Sequence, residues 1–349
     1  MTDRSRKRQE RIADRLDKGN FPEDLEQPMF RAANIHYEVA ERSIGTPYGG
    51  IGLIHQLAQT IGLPAAIDQR LNLLKFHLPY HESDHILNIA YNALCDGRCL
   101  QDLELRRQDE AYLNALGAIR IPDPTTAGDF CRRFKQDDLA SLQEAIDVSR
   151  RKIWAAQPDS FFEQAIIDGD GTMVETDGEC KQGMDISYKG QWGYHPLVLT
   201  LANTGEVLRL VNRSGNRPSH EGAAAKFDES IGVCRAAGFR SVVVRGDTDF
   251  SQTKDLDRWH EDNVTFYFGL DSTAARHILA DDLPESAFKL LNRPAKYEVR
   301  TKTRKRPERV KQQVVDERGF KDIQLEEEWV GETTYQPVAC KRAYRLIIV

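Results

Sequence analysis

The sequence has no long apolar run and no secretion signal. No segment approaches the roughly 20 consecutive apolar residues that cross a bilayer, and the first 20 residues are rich in charges and have no apolar core. These absences argue against membrane insertion and export. We therefore expect a cytoplasmic protein with no membrane partner.

Paired cysteines are also missing. The six cysteines are scattered along 349 residues, and none forms a Cys-x-x-Cys pair or lies at zinc-finger spacing from a histidine. This pattern argues against a disulfide framework and a zinc finger, and it indicates reduced thiols. His77, His81 and His85 are spaced by four, but Pro79 interrupts the helix that would align them. We interpret them as ordinary surface and capping histidines.

An excess of positive charge is absent as well. Lys and Arg number 48 against 54 Asp and Glu, which gives a formal net charge of −6. Bulk charge therefore does not draw this protein to nucleic acid, and DNA contacts would have to come from local basic patches. With 40% hydrophobic residues, the chain can bury a core in one large domain or in two to three ordinary ones.

Two basic segments lie at opposite ends of the chain. Residues 1–50 form a basic arm with seven basic side chains before residue 20, and this arm is either a mobile tail that touches DNA or a solvated helix. Near the other end, Arg300, Lys302 and Arg304 alternate and so lie on one face of a predicted strand. That face is either a track for DNA phosphates or an edge strand protected from aggregation by its charges.

Helical periodicity runs through residues 51–160. Apolar residues at positions 86, 89, 90, 93 and 94 predict one helix, and a second is predicted over residues 100–117. After a Pro/Thr turn comes a short helix predicted to contain Arg132 and Arg133. The segment is either a helix-turn-helix that binds DNA or a plain helical bundle, because both use the same turn chemistry.

From residue 161 the periodicity changes from helix to strand. The pattern predicts strands at residues 161–174, 194–202, 206–212, 241–246 and 264–270, and helices at residues 220–238 and 251–263. Three strands, a helix, a strand, a helix and a strand follow the order of the ribonuclease H fold. We therefore predict an α/β protein with a ribonuclease H-like mixed sheet core at residues 161–280. Residues 281–349 are predicted to be a partial β-rich insertion.

Carboxylates mark two of these predicted strands. Alternation places Asp168 and Asp170 on one face of the first strand, and Asp247 follows a Val-rich strand at its carboxyl end, where open α/β sheets place ligands. If the strands are neighbours, Asp170 and Asp247 converge, and their oxygens would select Mg²⁺ or Mn²⁺. The alternative is structural: Asp168 caps a turn beside Gly169, and Asp247 begins the turn that follows its strand.

Four segments carry a resemblance to a known family. They are Ile167-Asp168-Gly169-Asp170-Gly171-Thr172, Gly193-Tyr194-His195-Pro196-Leu197, Asn212-Arg213-Ser214-Gly215-Asn216 and Val244-Arg245-Gly246-Asp247-Thr248-Asp249-Phe250. In order and spacing they resemble the DDE transposases of bacterial insertion sequences, specifically the group of insertion-sequence family 1380. The resemblance covers most of the chain from about residue 51 onward, and the last segment is its most specific part.

That resemblance implies an enzyme of cut-and-paste DNA transposition, with Mg²⁺ or Mn²⁺ as cofactor. Its partners would be the transposon ends and the target DNA, bound by a homodimer. Asp170 and Asp247 would be the catalytic carboxylates and metal ligands, with Asp168 as a further residue of the metal site. Asp249 would be a supporting residue.

One element of the resemblance is missing. Such enzymes need a third carboxylate, a Glu on a helix after a β-rich insertion, commonly in a Tyr-x2-Arg-x3-Glu-x6-Lys signature. Tyr297, Arg300 and Lys311 fit that signature, but Arg304 stands at the Glu position. We interpret this match as chance, in a β-like stretch and not on a helix.

We therefore expect a chain that stops before the Glu-bearing helix and that does not cleave DNA by itself, although adding the downstream coding region would restore cleavage. Two alternatives stay open. One is a truncated, catalytically inactive protein or fragment that binds transposon ends. The other is a ribonuclease H-like nuclease unconnected with transposition.

Overall fold

The computed structural model describes residue 10, residue 30 and residues 48–75, 77, 79–251, 253–291, 310–319 and 329–349. The chain divides into two compact units, Met1–Pro158 and Asp159–Val349. Most of the predicted basic arm lies outside the described residues, as do Arg300, Lys302 and Arg304.

The first unit is helical in its described part. Its helices are α1 (Ile51–Thr60), α2 (Leu63–Arg70), α3 (Glu82–Leu94), α4 (Leu103–Arg107), α5 (Glu110–Leu116), α6 (Pro124–Cys131) and α7 (Gln136–Ala155), with a 3₁₀ turn at Leu100–Asp102. Ile51, Tyr91 and Leu116 join α1, α3 and α5 in one apolar cluster. A second cluster joins α2 to α7 through Ile67 and Ala145.

The first predicted helix exists as α3, but its apolar stripe is not its buried face. Tyr91, Asn88 and Asn92 are buried, whereas Leu94 is 60% exposed. The two amides are buried because they find backbone partners: Asn88 donates to the carbonyl of Pro122, and Asn92 donates to that of Cys99. An apolar pattern does not reveal such partners.

The second predicted helix, over residues 100–117, is divided. Asp109 interrupts it, because its side chain accepts the N–H of Tyr112 and so starts α5 as an N-cap. Gly117 ends α5 with φ of 63°, a left-handed conformation that glycine adopts without strain. The start and the end of this helical region are therefore as predicted, whereas the break at Asp109 was not predicted.

The second unit consists mainly of strands. Its elements are β1 (Gln164–Gly171), β2 (Val174–Glu175), β3 (Asp185–Ile186), β4 (Trp192–Tyr194), β5 (Leu197–Leu201), β6 (Glu206–Val211), α8 (Ala223–Ala237), β7 (Ser241–Gly246), α9 (Thr253–Glu261), β8 (Val264–Phe268), α10 (Ala274–Asp281), β9 (Lys289–Leu290), α11 (Val310–Glu317), β10 (Trp329–Tyr335) and β11 (Tyr344–Ile348).

A mixed five-stranded sheet forms the centre of this unit, in the order β6-β5-β1-β7-β8. β5 pairs antiparallel with β6 on one side and with β1 on the other, whereas β1, β7 and β8 run parallel. Two three-stranded sheets accompany it, with the orders β2-β4-β3 and β11-β10-β9. The unit is thus a mixed α/β structure, as predicted.

Aromatic side chains build the core on one face of the central sheet. Phe227 of α8 meets Phe250, Trp259 and Phe268 edge to face, with ring centroids about 6 Å apart. Gly169 of β1 lies directly under Phe227, and a side chain at this position would overlap the ring. α8 and α9 therefore cover this face, and the backbone of β1 comes close to α8.

Two helices beyond residue 270 were not predicted. α10 precedes the β-rich part, and α11 interrupts it. Lys311 lies in α11, so the expectation of a β-like stretch around it is wrong at this point; Tyr297 and the rest of the signature lie outside the described residues. None of the helices in the described ranges is long and apolar enough to cross a membrane.

His85 on α3 gives the first unit a pH-dependent stability. Its side chain is buried and its ring stacks on Phe130, with centroids 4.3 Å apart. Burial, assisted by the Arg133 cation and opposed by Asp123, lowers the pKa of His85 to about 4. In the unfolded chain the pKa is near 6.5, so between these two values the unfolded state binds the additional proton.

We therefore expect the free energy of unfolding to fall as the pH drops from about 6.5 to about 4. The stabilisation from neutral His85, on the order of 3 kcal/mol at full size, is present above that window and lost below it. Urea unfolding at several pH values measures it. In His85→Leu the dependence should be flatter, and an identical pH dependence in both proteins would contradict the prediction.

Candidate active site

The register between β1 and β7 bears on the positions of two carboxylates. Asp168 lies opposite Arg245 in this parallel pair. Asp170 lies two residues further along β1 and Asp247 directly follows β7, so a continuation of the same register would bring them to adjacent positions at the carboxyl edge of the sheet. The neighbouring strands expected from the sequence are thus observed. The metal-ligand role of Asp170 and Asp247 stays a prediction.

Alternation along β1 separates polar from apolar side chains. Ala165, Ile167 and Gly169 are buried, Asp168 is half-buried and Asp170 is exposed. The two aspartates thus lie on the face opposite Phe227, where water and ligands have access. Asp168 lies inside β1, so the alternative that it caps a turn is wrong.

Asp247 begins a turn, as its structural interpretation predicted. It follows β7 with extended dihedral angles and caps the 3₁₀ turn Thr248–Phe250. Its Oδ1 accepts the N–H of Asp249 at 3.0 Å. This bond orients the carboxylate through one oxygen, and it leaves Oδ2 as a donor atom for a cation. Capping and metal binding are therefore compatible at this residue.

Arg245 is a residue of this edge that the sequence reasoning missed. Its Nε donates to Asp168 Oδ1 at 2.6 Å and its Nη2 donates to Oδ2 at 2.7 Å. These bonds raise the pKa of Arg245. A signal was present: Asp168 precedes Asp170 by two residues, just as Arg245 precedes Asp247, so alternation puts all four on one face.

The four segments that resemble the transposase family meet near this edge. His195 donates its backbone N–H to the Arg213 carbonyl. The Arg213 guanidinium in turn donates to the backbone carbonyls of His195 and Ser219. Ser219 Oγ donates to Asp249 Oδ2 at 3.0 Å. Gly171 lies against His195 and Ser219, since a Cβ there would come within 3.0 Å of both side chains. Segments distant in sequence are thus tied together.

The donor set at the edge suits a cation only in part. Among the residues that the structure describes, no three His, Cys, Asp or Glu side chains converge as a metal-binding group. Two carboxylates are nevertheless a typical protein contribution for Mg²⁺, which is often completed by waters and substrate phosphates. Asp170 and Asp247 fit that kind of site.

Arg132 and Arg133 were the predicted basic contacts of the first unit. α6 ends at Cys131, so Arg132 and Arg133 follow this helix and the prediction that it contains them is wrong. Arg132 is exposed and pairs with Asp129 at 2.6 Å, and Arg133 donates to the Leu73 carbonyl at 3.3 Å. Their contact with DNA stays a prediction.

Comparison with known proteins gives one family. The model of the family described as transposase DDE domain group 1 matches residues 40–348. No curated protein matches the sequence. A cryo-EM structure of a piggyBac transposase synaptic complex with hairpin DNA is similar over 72% of this chain and 57% of that one, with 12% identity and a TM-score of 0.33. The chain thus spans less than two thirds of that protein, and no conclusion is based on so weak a structural similarity.

Gly169, between the two aspartates of β1, offers a test of the packing beneath the site. A Cβ at this position would lie 2.5 Å from Cζ of Phe227, whose ring is enclosed by other aromatic rings. We expect Gly169→Ala to lower the free energy of unfolding by about 1–3 kcal/mol because the core cannot expand without cost.

Gly232 is the matched control for this substitution. It is exposed in the middle of α8, and no atom lies within 4 Å of an added Cβ. Alanine is favoured over glycine inside a helix, so Gly232→Ala should raise the free energy of unfolding by about 0.5–1 kcal/mol. Urea unfolding of both variants measures the two changes. Equal stability of Gly169→Ala and the parent chain would show that the approach of β1 to Phe227 is looser than described.

Proposed function

The chain belongs to the family described as transposase DDE domain group 1, and from this membership we propose that it acts in cut-and-paste DNA transposition. Its reaction would be metal-dependent cleavage and transfer of DNA strands at insertion-sequence ends. The observation that supports this most is the register of β1 and β7, whose last pair, Asp168 with Arg245, lies two residues before Asp170 and Asp247. The four resembling segments support a place in the group of insertion-sequence family 1380.

A ribonuclease H-like core is part of the proposal. Its support is the order of elements: three antiparallel strands, a helix, a strand, a helix and a further strand, with the last two strands parallel to the first. In such a sheet the carboxyl ends of parallel strands meet at one edge, which is the usual position of ligands. Asp170 and Asp247 both lie at that edge.

In the proposed site, Asp170 and Asp247 would hold Mg²⁺ or Mn²⁺. Such an ion, when bound, lowers the pKa of a coordinated water or hydroxyl and stabilises a leaving oxygen. The chain's own contribution is orientation. The Asp249 N–H holds one oxygen of Asp247, and the β1 ladder holds the backbone of Asp170 opposite Val198.

The partners in this proposal are transposon ends and target DNA, bound by a homodimer. The family supports DNA as the substrate, whereas the homodimer rests on the resemblance alone. The pairing of Asp168 with Arg245 favours a supporting role for Asp168 over direct ligation, because both of its oxygens already accept hydrogen bonds. No residue of this chain is proposed as the third carboxylate.

Charge-removing substitutions test the proposal. An assay supplies Mg²⁺, DNA with or without insertion-sequence ends, and the chain with or without its downstream coding region, and counts cleaved and transferred ends. We expect end-specific products only when the downstream region is added, and Asp170→Asn and Asp247→Asn should each lower them at least about 100-fold, because one stabilising group in such a site contributes that much or more. Asp282→Asn, on an exposed carboxylate beside α10, should leave the products unchanged.

Three results would contradict the proposal in different ways. Cleavage that ignores the ends but needs Asp170 would indicate a nuclease unconnected with transposition. Binding to the ends without any cleavage would indicate a DNA-end-binding protein. Cleavage that survives both substitutions would remove Asp170 and Asp247 from the site.

A further inference from the structure

The bidentate pair between Asp168 and Arg245 is the last register pair before the two edge carboxylates. We propose that this pair is a positioning device that sets the spacing and orientation of Asp170 and Asp247. The inference rests on the proposed function, because it assumes that the two carboxylates share a cation. It adds Arg245 to the site as a residue that acts through others.

The geometry of the pair suits this role. The two residues are register partners on adjacent parallel strands, and two N–H groups of Arg245 meet both oxygens of Asp168 at 2.6 and 2.7 Å. A planar, two-point contact fixes the rotation of the side chains as well as their separation. It therefore ties β1 to β7 at the last register pair before the two carboxylates.

Exposure argues that stability alone does not explain the pair. The side chains of Arg245 and Asp168 are 45% and 37% exposed, and ion pairs with that much solvent contact add little to folding stability. The strands are already joined by their backbone ladder and by buried side chains such as Val244 and Ile167. The pair adds a fixed distance and orientation between two side chains near the carboxyl edge of the sheet.

Charge distribution points the same way. Three carboxylates on one small face would repel one another, and Arg245 compensates the one furthest from the edge. Within the described part of the chain, no Lys or Arg makes an ion pair with Asp170 or Asp247. As far as the described residues show, the pair thus leaves the two edge carboxylates as the charges that a cation would balance.

A second contact holds the chain on the other side of Asp247. Asp249 accepts the hydroxyl of Ser219, which is buried, and Arg245 holds the strand two residues before Asp247. Asp247 therefore lies between two anchored positions, each two residues away. This arrangement restricts the carboxylate to a narrow range of positions, as expected for a preorganised ligand.

Mn²⁺ binding separates positioning from simple electrostatics. If only charge mattered, Arg245→Gln would tighten cation binding and Asp168→Asn would weaken it, because the local charge changes in opposite directions. Arg245→Lys and the double variant Asp168→Asn/Arg245→Gln keep the net charge and should then bind like the parent chain. If the pair positions the ligands, all four variants weaken binding, since none retains the two-point contact.

The experiment titrates each full-length variant with Mn²⁺ alone and follows the free ion by electron paramagnetic resonance. We expect Arg245→Lys and the double variant to bind about 10-fold more weakly than the parent chain, the lower end of what supporting residues contribute to metal affinity. Circular dichroism checks that each variant is folded. Arg240→Lys is the matched control, because Arg240 pairs with exposed Asp159 at the other end of β7, and its affinity should stay at the parent value.

Parent-like Mn²⁺ affinity in both charge-conserving variants would overturn the inference. So would tighter Mn²⁺ binding by Arg245→Gln together with weaker binding by Asp168→Asn. Asp170→Asn and Asp247→Asn distinguish this failure from failure of the proposed function. If those two substitutions lower Mn²⁺ affinity while Arg245→Lys does not, only the positioning role fails. If they do not lower it, the cation site itself is refuted and the positioning role with it.

Discussion

Parallel pairing of β1 with β7, in one register, is the constraint on which the second unit depends. A slip of one residue would turn every side chain of β1 to the other face of the sheet. Ile167 would then lose its buried position, and Asp168 and Asp170 would point into the aromatic core around Phe227. Burying two unpaired carboxylates there would be costly. Core packing and the candidate site therefore select the same register.

This shared constraint explains how one short strand serves two purposes. The buried face of β1 carries small and apolar residues, and Gly169 lets α8 approach closely. The opposite face carries the aspartates and, through the register, Arg245 and Asp247. Rigid packing on one side thus holds the polar groups of the other side in place, which a site built on loops alone would not achieve.

Much of this arrangement could be predicted from local patterns. The Val242-Val243-Val244 run and Gly246 gave the bounds of β7 correctly, and Gly238 marked the end of α8. Parallel strands whose ends carry Asp170 and Asp247 followed from alternation and element order.

Contacts that depend on a partner distant in sequence were not predictable in the same way. The buried face of α3 depends on carbonyls supplied by other segments, and Asp109 breaks a helix that periodicity alone continues. The Asp168–Arg245 pair joins residues 77 positions apart. α10 and α11 were missed because each has only 8 residues, which is too short for a clear helical repeat of apolar side chains. The sequence thus indicated the elements well, and their polar contacts poorly.

The most direct test of the central claim is the position of a bound cation. Crystals of the chain grown with Mn²⁺ would show it by anomalous scattering. The account predicts a peak between Asp170 and Asp247, with a carboxylate oxygen of each at about 2.1 Å, close to the distance that Mg²⁺ adopts. A peak elsewhere on the protein, with both carboxylates unligated, would contradict it.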